Sequence, residues 1–269
     1  MENQTEIIKQ CLQGDNKALE QLIKNVQGQI YNLSVRFLWN PMDAEDATQE
    51  ILIKIITNLA TFKGQSAFET WAYRLASNYL INTKRNQTEE ITFEIGEYHL
   101  KEGLNHNDYN GADKELLAEE VKIGCTTSIL SCLTRPMRLA YILGEIFEYD
   151  SIQASYILDI EPEAFRKRLS IARKSVRDFM SRNCGIYHEK NSCRCTKQIN
   201  YDLDIKRINP KQLLFADKGT VQKTVSELEN IGKDIAIFQS HPNYSIPNKI
   251  LDNIKGLFKS GEYPILTDK

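Results

Sequence analysis

The chain has 269 residues, of which 34 are basic and 36 are acidic, so its formal net charge at pH 7 is −2. This length suffices for two or three domains with separate hydrophobic cores. The near-neutral balance indicates no partner by itself. No apolar run approaches the length of a membrane span, which excludes an inserted protein. Because the first ten residues are polar and charged, unlike a signal peptide, we expect a cytoplasmic protein.

Charge is distributed unevenly along the chain. Ten acids and two lysines fall in residues 86–120, whereas seven bases and three acids fall in residues 161–182. Hydrophobic periodicity is lost between about 86 and 112, which predicts a flexible acidic linker. The basic stretch predicts a helix that approaches polyanions.

The first 86 residues predict a domain of four helices. Hydrophobic residues at helical spacing indicate two helices within residues 5–38, and a third is expected to begin at an Asp43 cap. A fourth follows the loop Lys63 to Ala67 and buries Phe68 and Trp71. Trp71 on this stripe is a core residue first, and the polar face opposite it is by default an ordinary solvated face.

A helix-turn-helix is predicted near the middle of the chain. Asp150 has the features of an N-cap, a short turn follows at residues 159–161, and Pro162 suits the first position of a long basic helix. Phe165, Leu169, Ala172, Val176 and Phe179 share its apolar stripe, so the arginines and lysines between them face outward.

Three submotifs in order resemble one protein family. They are D-A-E-D-x-x-Q-E from Asp43, F-x-G-x-S-x-F-x-T-W from Phe62, and R-L-A-x-N-Y-L from Arg74. They look like the promoter-melting domain of bacterial RNA polymerase sigma factors, of the extracytoplasmic-function group. The basic helix A-F-R-K-R-L-S-I-A-R is similar to the family's second DNA-binding element. Asn82, Asp159 and Ile171 depart from the usual family residues.

The resemblance implies an all-α fold, with sigma domain two at 1–86, a linker at 87–112, sigma domain four at 113–182 and a C-terminal extension at 183–269. It implies three sets of site residues. The set for the minus-ten promoter element is Lys63, Gly64, Gln65, Ser66, Arg74, Asn78, Lys84 and Arg85. The set for the minus-thirty-five element is Glu163, Ala164, Arg166, Lys167, Arg168, Ser170 and Arg173. The set for polymerase docking is Asp46, Gln49, Glu50 and Lys54.

The extension contains a compact cluster of possible metal ligands. Cys184, His188, Cys193 and Cys195 supply three thiols and an imidazole, a donor set that suits tetrahedral zinc. Their C-x8-C-x-C spacing is not a common zinc-finger spacing, so zinc, a redox switch and simple buried thiols all stay open. Two amphipathic helices are expected beyond it, at residues 220–238 and 247–259, with a regulatory role. His241 between them is expected to be a loop or cap residue.

Two functions follow from these features. The first is a promoter-specificity subunit that binds core RNA polymerase and promoter DNA and has no catalysis of its own. An anti-sigma protein is a possible further partner. The second is a stand-alone helix-turn-helix regulator that binds an operator without polymerase. The acidic docking helix and the base-capturing loop favour the first, since an operator-binding protein needs neither.

Overall fold

A computed structural model describes residues 2–84, 91–216 and 233–260 of the chain. This part contains α-helices and no β-strand, which confirms the all-α prediction. The helices are α1 Glu2–Leu12, α2 Asn16–Leu38, α3 Pro41–Thr57, α4 Phe68–Asn82, α5 Phe93–Gly103, α6 Lys114–Ser131, α7 Arg135–Tyr141, α8 Ser151–Leu158, α9 Pro162–Asn183, α10 Cys195–Asp204, α11 Lys233–Gln239 and α12 Asn248–Ser260. None of the helices in these ranges combines the length and apolar composition needed to cross a membrane.

The chain forms two compact units that each draw on separate stretches of sequence. The first unit comprises Met1–Lys84, Asp150–Ala164 and Tyr244–Lys269. The second comprises Arg85–Tyr149 and Phe165–Asn243. The first unit therefore holds α1 to α4, α8 and α12, and the second holds α5 to α7, most of α9, α10 and α11.

Helix α2 is the central element of the first unit. Asp15 caps it, since its carboxylate accepts hydrogen bonds from the backbone N–H groups of Lys17 and Ala18 at 2.8 and 3.1 Å. Residues at three- and four-residue spacing along α2, including Leu19, Leu22 and Ile30, are completely buried. Helices α1, α3 and α4 all pack on α2, so this apolar stripe anchors the four-helix core.

Helix α3 begins earlier than the predicted Asp43 cap. Asn40 is the cap instead, because its side-chain oxygen accepts hydrogen bonds from the N–H groups of Met42 at 2.9 Å and Asp43 at 3.4 Å. Pro41 occupies the first helical position, where its fixed φ suits the helix and its missing N–H leaves no bond unmade. Asp43 lies in the first turn, where its charge complements the helix dipole.

The prediction of a flexible linker is wrong for the residues that form α5. Thr92 caps this helix by accepting a hydrogen bond from Ile95 N at 3.3 Å. Its side chains meet α10, where His99 Nδ1 lies 2.6 Å from the Tyr201 hydroxyl and Gln198 Nε2 donates to Leu100 O at 2.9 Å. These partners lie about a hundred residues away in sequence, so local periodicity does not indicate them.

The second unit has its own hydrophobic core. Leu117 and Val121 of α6 pack with Ile199 of α10 and with Ile208 beyond it. Elsewhere in the unit the apolar stripe predicted for α9 is buried, and Gly144 of a π-helical turn at 142–146 lies against it. A Cβ at Gly144 would lie 2.7 Å from Leu169 Cδ2, so a larger residue there would displace the Leu169 side chain.

The C-terminal extension contributes helices to both units. Helix α10 lies beside α5 and α6, and α11 contacts α6 and the π-helical turn of the second unit. Helix α12 contacts α3 of the first unit. The N-terminal part of the predicted helix at 220–238 lies outside the described residues, and the described part begins at Lys233.

Candidate nucleic-acid interface

The loop before α4 presents a glycine and polar side chains to solvent. Gly64 has φ 68°, in the left-handed region that favours glycine, and no atom lies within 4 Å of where its Cβ would be. Lys63 and Gln65 on either side are exposed, and Ser66 is partly buried. The loop therefore offers accessible backbone beside a lysine, which suits contact with a nucleic-acid strand.

An aromatic cluster supports this loop from below. The rings of Phe62 and Phe68 meet edge to face at 5.7 Å, and Trp71 lies 5.4 Å from Phe62 and 5.6 Å from Phe68. Phe68 is fully buried and Trp71 is 8% exposed. Trp71 is therefore a core residue, as its place on the apolar stripe predicts, and the cluster fixes where the loop joins α4.

Two residues of the minus-ten set contact α8. Arg74 Nη2 forms an ion pair with Asp159 Oδ1 at 2.7 Å, and its guanidinium lies 5.2 Å from the centre of the Tyr156 ring. The Ser66 hydroxyl lies 3.2 Å from the Tyr156 hydroxyl. Asp159 itself has φ 54° and ψ 50°, the left-handed conformation that ends α8. Arg74 and Ser66 are thus engaged by the first helix of the helix-turn-helix in this structure.

The remaining members of the minus-ten set are differently placed. Asn78 and Lys84 are exposed, and Arg85 lies outside the described residues. Asn78 lines a groove of about 410 Å³ between α3 and α4, together with Lys54, Asn58, Leu75, Tyr79, Asn82 and Thr83. Lys54 lies over the Tyr79 ring at 5.9 Å. The groove joins an aromatic face, amides and a cation, and Asn58 and Tyr79 are not among the residues predicted for the minus-ten element.

The docking set lies along the outer side of α3. Asp46, Glu50 and Lys54 are exposed, whereas Gln49 is partly buried. On the inner side Ile51, Leu52 and Ile55 are completely buried. This separation leaves the predicted docking face of α3 polar and predominantly acidic.

The minus-thirty-five set lies on α9, where four of its seven residues are exposed, two are partly buried and one forms an ion pair. Glu163, Arg166, Lys167 and Ser170 are exposed, whereas Ala164 and Arg168 are partly buried. Arg173 is held by Glu145, which is only 3% exposed, through a bond of 2.6 Å from Nε and a second contact from Nη2. Arg173 thus has a structural partner, and the buried carboxylate of Glu145 offsets part of the charge that it would bring to a phosphate.

The predicted metal ligands do not form a metal site in the described part of the chain. No three His, Cys, Asp or Glu side chains there are arranged to hold an ion. His188 is exposed, and its Nδ1 accepts from Lys190 N at 3.3 Å. Cys184, Cys193 and Cys195 are free thiols. Zinc at Cys184, His188, Cys193 and Cys195 stays a prediction.

A fourth thiol lies near these three. Burial raises the pKa of Cys125 well above its usual value, and the nearby Cys193, Cys184 and Cys195 raise it further. Burial likewise raises the pKa of Cys193 to about 11. Cys125 follows Leu117 and Val121 at four-residue intervals along α6, the stripe on which α10 packs. That spacing was the sequence signal for its position, and Cys125 and Cys193 are protonated at neutral pH.

His241 has a structural role in the second unit. It is 6% exposed, and its Nε2 lies 2.7 Å from the Thr126 hydroxyl of α6. Its ring also lies 5.8 Å from Phe238. These contacts hold the loop after α11, as expected for a loop residue.

Part of the chain matches a family of known proteins. Residues 22–90, which span α3, the glycine loop and α4, match the sigma-70 region 2 family. The chain is 28% identical over 185 residues to the RNA polymerase sigma-H factor of Pseudomonas aeruginosa, covering 65% of this chain and 92% of that one. It is 28% identical over 176 residues to the ECF RNA polymerase sigma-E factor of Escherichia coli (strain K12), covering 63% and 90%.

A solved structure also resembles the chain. It is the structure of CnrH in complex with the cytosolic domain of CnrY, with 17% identity, a TM-score of 0.48, and coverage of 65% of this chain and 95% of that one. The chain is thus similar, over about two thirds of its length, to RNA polymerase sigma factors, among them an ECF sigma-E factor.

Proposed function

We propose that the chain is a promoter-specificity subunit, which binds core RNA polymerase and directs initiation at a specific set of promoters. The observation that supports this most is the sigma-70 region 2 match at residues 22–90. It covers both an acidic outer face on α3 and a cationic, glycine-containing loop before α4. The relatives do not favour the alternative of a regulator that acts without polymerase.

Each proposed surface has a distinct physical role. The outer face of α3, with Asp46, Gln49, Glu50 and Lys54, docks on polymerase. The loop at 63–67 and the exposed side of α4 hold bases of the separated strand, since an exposed lysine and accessible backbone suit a phosphate and an unstacked base. The outer residues of α9 contact the duplex, where base edges specify and phosphates position. Positioning and binding suffice for this role, so we assign no catalytic step to the chain.

The test is transcription in vitro with core polymerase, on promoters enriched from the host genome by binding to the protein. The full chain is expected to start transcripts at defined positions. Lys63→Ala is expected to reduce open-complex formation and to lower its salt slope by about 1, because it removes one cation beside the phosphates of the separated strand. Lys17→Ala, which removes an exposed lysine at the start of α2 instead, is the matched control.

The outcomes separate the two functions. Initiation that depends on Lys63 and on the α3 face supports the sigma proposal. If the chain binds duplex DNA tightly alone and starts no transcript with core polymerase, the proposal is wrong and the regulator function replaces it.

A further inference from the structure

Helix α12, near the end of the extension, lies along the proposed docking helix. Lys249 forms an ion pair with Glu45, and Asn253 Nδ2 donates a hydrogen bond to Gln49 Oε1 at 2.9 Å. The two partners on each helix are four residues apart, so they lie on one face of that helix, about one turn from each other. Helices α12 and α3 therefore run side by side in the same direction over this contact.

Apolar side chains seat α12 in the first unit. Ile250 and Ile254, again four residues apart, are each only 1% exposed. Burying two isoleucines is a larger contribution than the exposed ion pair, because apolar burial is unscreened whereas exposed charges are screened by water and salt. The contact is thus a packed interface with a polar edge.

The segment before α12 is anchored to α2. Asn32 Nδ2 donates to Tyr244 O, and Tyr244 N donates to Asn32 Oδ1, both at 2.9 Å. The guanidinium of Arg36 lies 5.0 Å from the centre of the Tyr244 ring. Arg36 is 3% exposed, and burial lowers its pKa. This second attachment fixes where α12 can lie, because only three residues separate Tyr244 from the start of the helix.

The two helices have opposite charge. Helix α3 carries four acids and one lysine, whereas α12 carries three lysines and one aspartate. Of the docking set, Gln49 is occupied by α12, while Asp46, Glu50 and Lys54 remain exposed. A helix about 10 Å across that lies on Glu45 and Gln49 also narrows the approach to their neighbours on α3.

From these contacts we infer that α12 is a built-in competitor of core RNA polymerase for the outer face of α3. This inference rests on the proposed function, in which that face docks on polymerase. Polymerase first meets the exposed Asp46 and Glu50 and then displaces α12 to reach Gln49. The apparent affinity for polymerase is the intrinsic affinity multiplied by the fraction of chains in which α12 has left α3.

The experiment measures the binding of core polymerase to immobilised full-length chains by surface plasmon resonance. The double variant Ile250→Asp/Ile254→Asp places charge in the apolar seat and releases α12 from α3. Asn248→Asp/Gly256→Asp adds the same two carboxylates at exposed positions of the same helix and is the matched control. Circular dichroism and thermal unfolding of each chain establish that the rest of the fold is retained.

The released variant is expected to bind polymerase roughly 5- to 150-fold more tightly than the unaltered chain, the usual range for coupling between two competing states. The control variant is expected to bind as the unaltered chain does. On polymerase binding, the amides of α12 in the unaltered chain are expected to lose protection from hydrogen exchange.

Glu50→Arg, tested in both the unaltered and the released chains, separates the two ideas. If released and unaltered chains bind equally while Glu50→Arg weakens both, the competition is wrong and the docking function stands. If no chain binds core polymerase, the proposed function fails and the inference fails with it.

Discussion

The contact between Arg74 and α8 predicts that the free chain hides part of its own minus-ten surface. Replacing Tyr156 by alanine and Asp159 by asparagine removes three interactions. The exposed ion pair contributes about 0.2–1 kcal/mol, the cation–π contact about 0.5–1 kcal/mol and the Ser66 hydroxyl contact about 0.5–1.5 kcal/mol. Their sum of about 1.2–3.5 kcal/mol corresponds to roughly an 8- to 400-fold change in an equilibrium, since about 1.4 kcal/mol is tenfold.

The double variant is therefore expected to bind single-stranded promoter DNA at least about eightfold more tightly than the unaltered chain, without polymerase. Fluorescence anisotropy with a labelled non-template strand measures this. Asparagine is chosen because it tolerates the left-handed conformation of Asp159, so the change removes charge without straining the end of α8. The gain is expected to shrink at high salt as the ion pair in the unaltered chain weakens.

Gln153→Ala, at an exposed position of α8, is the control and is expected to change nothing. Arg74→Ala in the variant background is expected to abolish the gain, because Arg74 is the cation that the variant makes available. If Arg74→Ala weakens DNA binding but the double variant binds no better than the unaltered chain, the reasoning that α8 covers this surface is refuted.

Three further predictions concern the second unit. Glu120 is 2% exposed and accepts hydrogen bonds from the backbone N–H groups of residues 214–216 at 2.7–2.9 Å. Glu120→Gln should therefore lower the free energy of unfolding, measured by chemical denaturation, by about 1–3 kcal/mol and should speed hydrogen exchange of the amides at 214–216. An unchanged unfolding free energy and unchanged exchange rates would contradict this. Burial raises the pKa of Asp202 to about 6, so the stability that its protonated carboxyl contributes is present below about pH 4 and is lost as the pH rises through 6. Relative to Asp202→Asn, the free energy of unfolding of the unaltered chain should therefore fall by about 3 kcal/mol by pH 7.5. Parallel pH profiles of unfolding free energy for the two chains would refute this. Burial raises the pKa of Cys125 and Cys195, so both should react with iodoacetamide at pH 7.5 roughly tenfold or more slowly than in the unfolded chain by mass spectrometry, and equal rates would exclude burial.

Much of the fold was predictable because caps, prolines and apolar stripes within each segment indicate its helices. The Asp150 cap, Pro162 and the stripe from Phe165 to Phe179 each depend on residues within a few turns, and the structure has all of them. The cap of α3 was misplaced by three residues because both Asn40 and Asp43 are good caps, and Pro41 decides between them.

What the sequence did not show depends on distant partners. Helix α5 is short and lies in an acidic, mostly polar stretch, and the Tyr201 and Gln198 side chains that it contacts lie on the distant α10. The same holds for the site: Arg173 is an ordinary outward-facing arginine by its position in α9, and only the fold reveals Glu145 beside it. Pairings of this kind arise from packing between elements, which a one-dimensional pattern does not contain.

The ion pair between Arg173 and Glu145 bears on the thermodynamics of binding to duplex DNA. A cationic side chain that meets a phosphate releases condensed counterions, and each such contact makes log K fall more steeply with log salt, by about 0.9. An arginine already neutralised by a buried carboxylate releases none, and Arg177, 3.5 Å from the buried Asp234, is in a similar state. Helix α9 therefore carries fewer counterion-releasing charges than its seven basic residues suggest. Its hold on DNA depends correspondingly less on ionic strength, and more of its discrimination falls to the base edges.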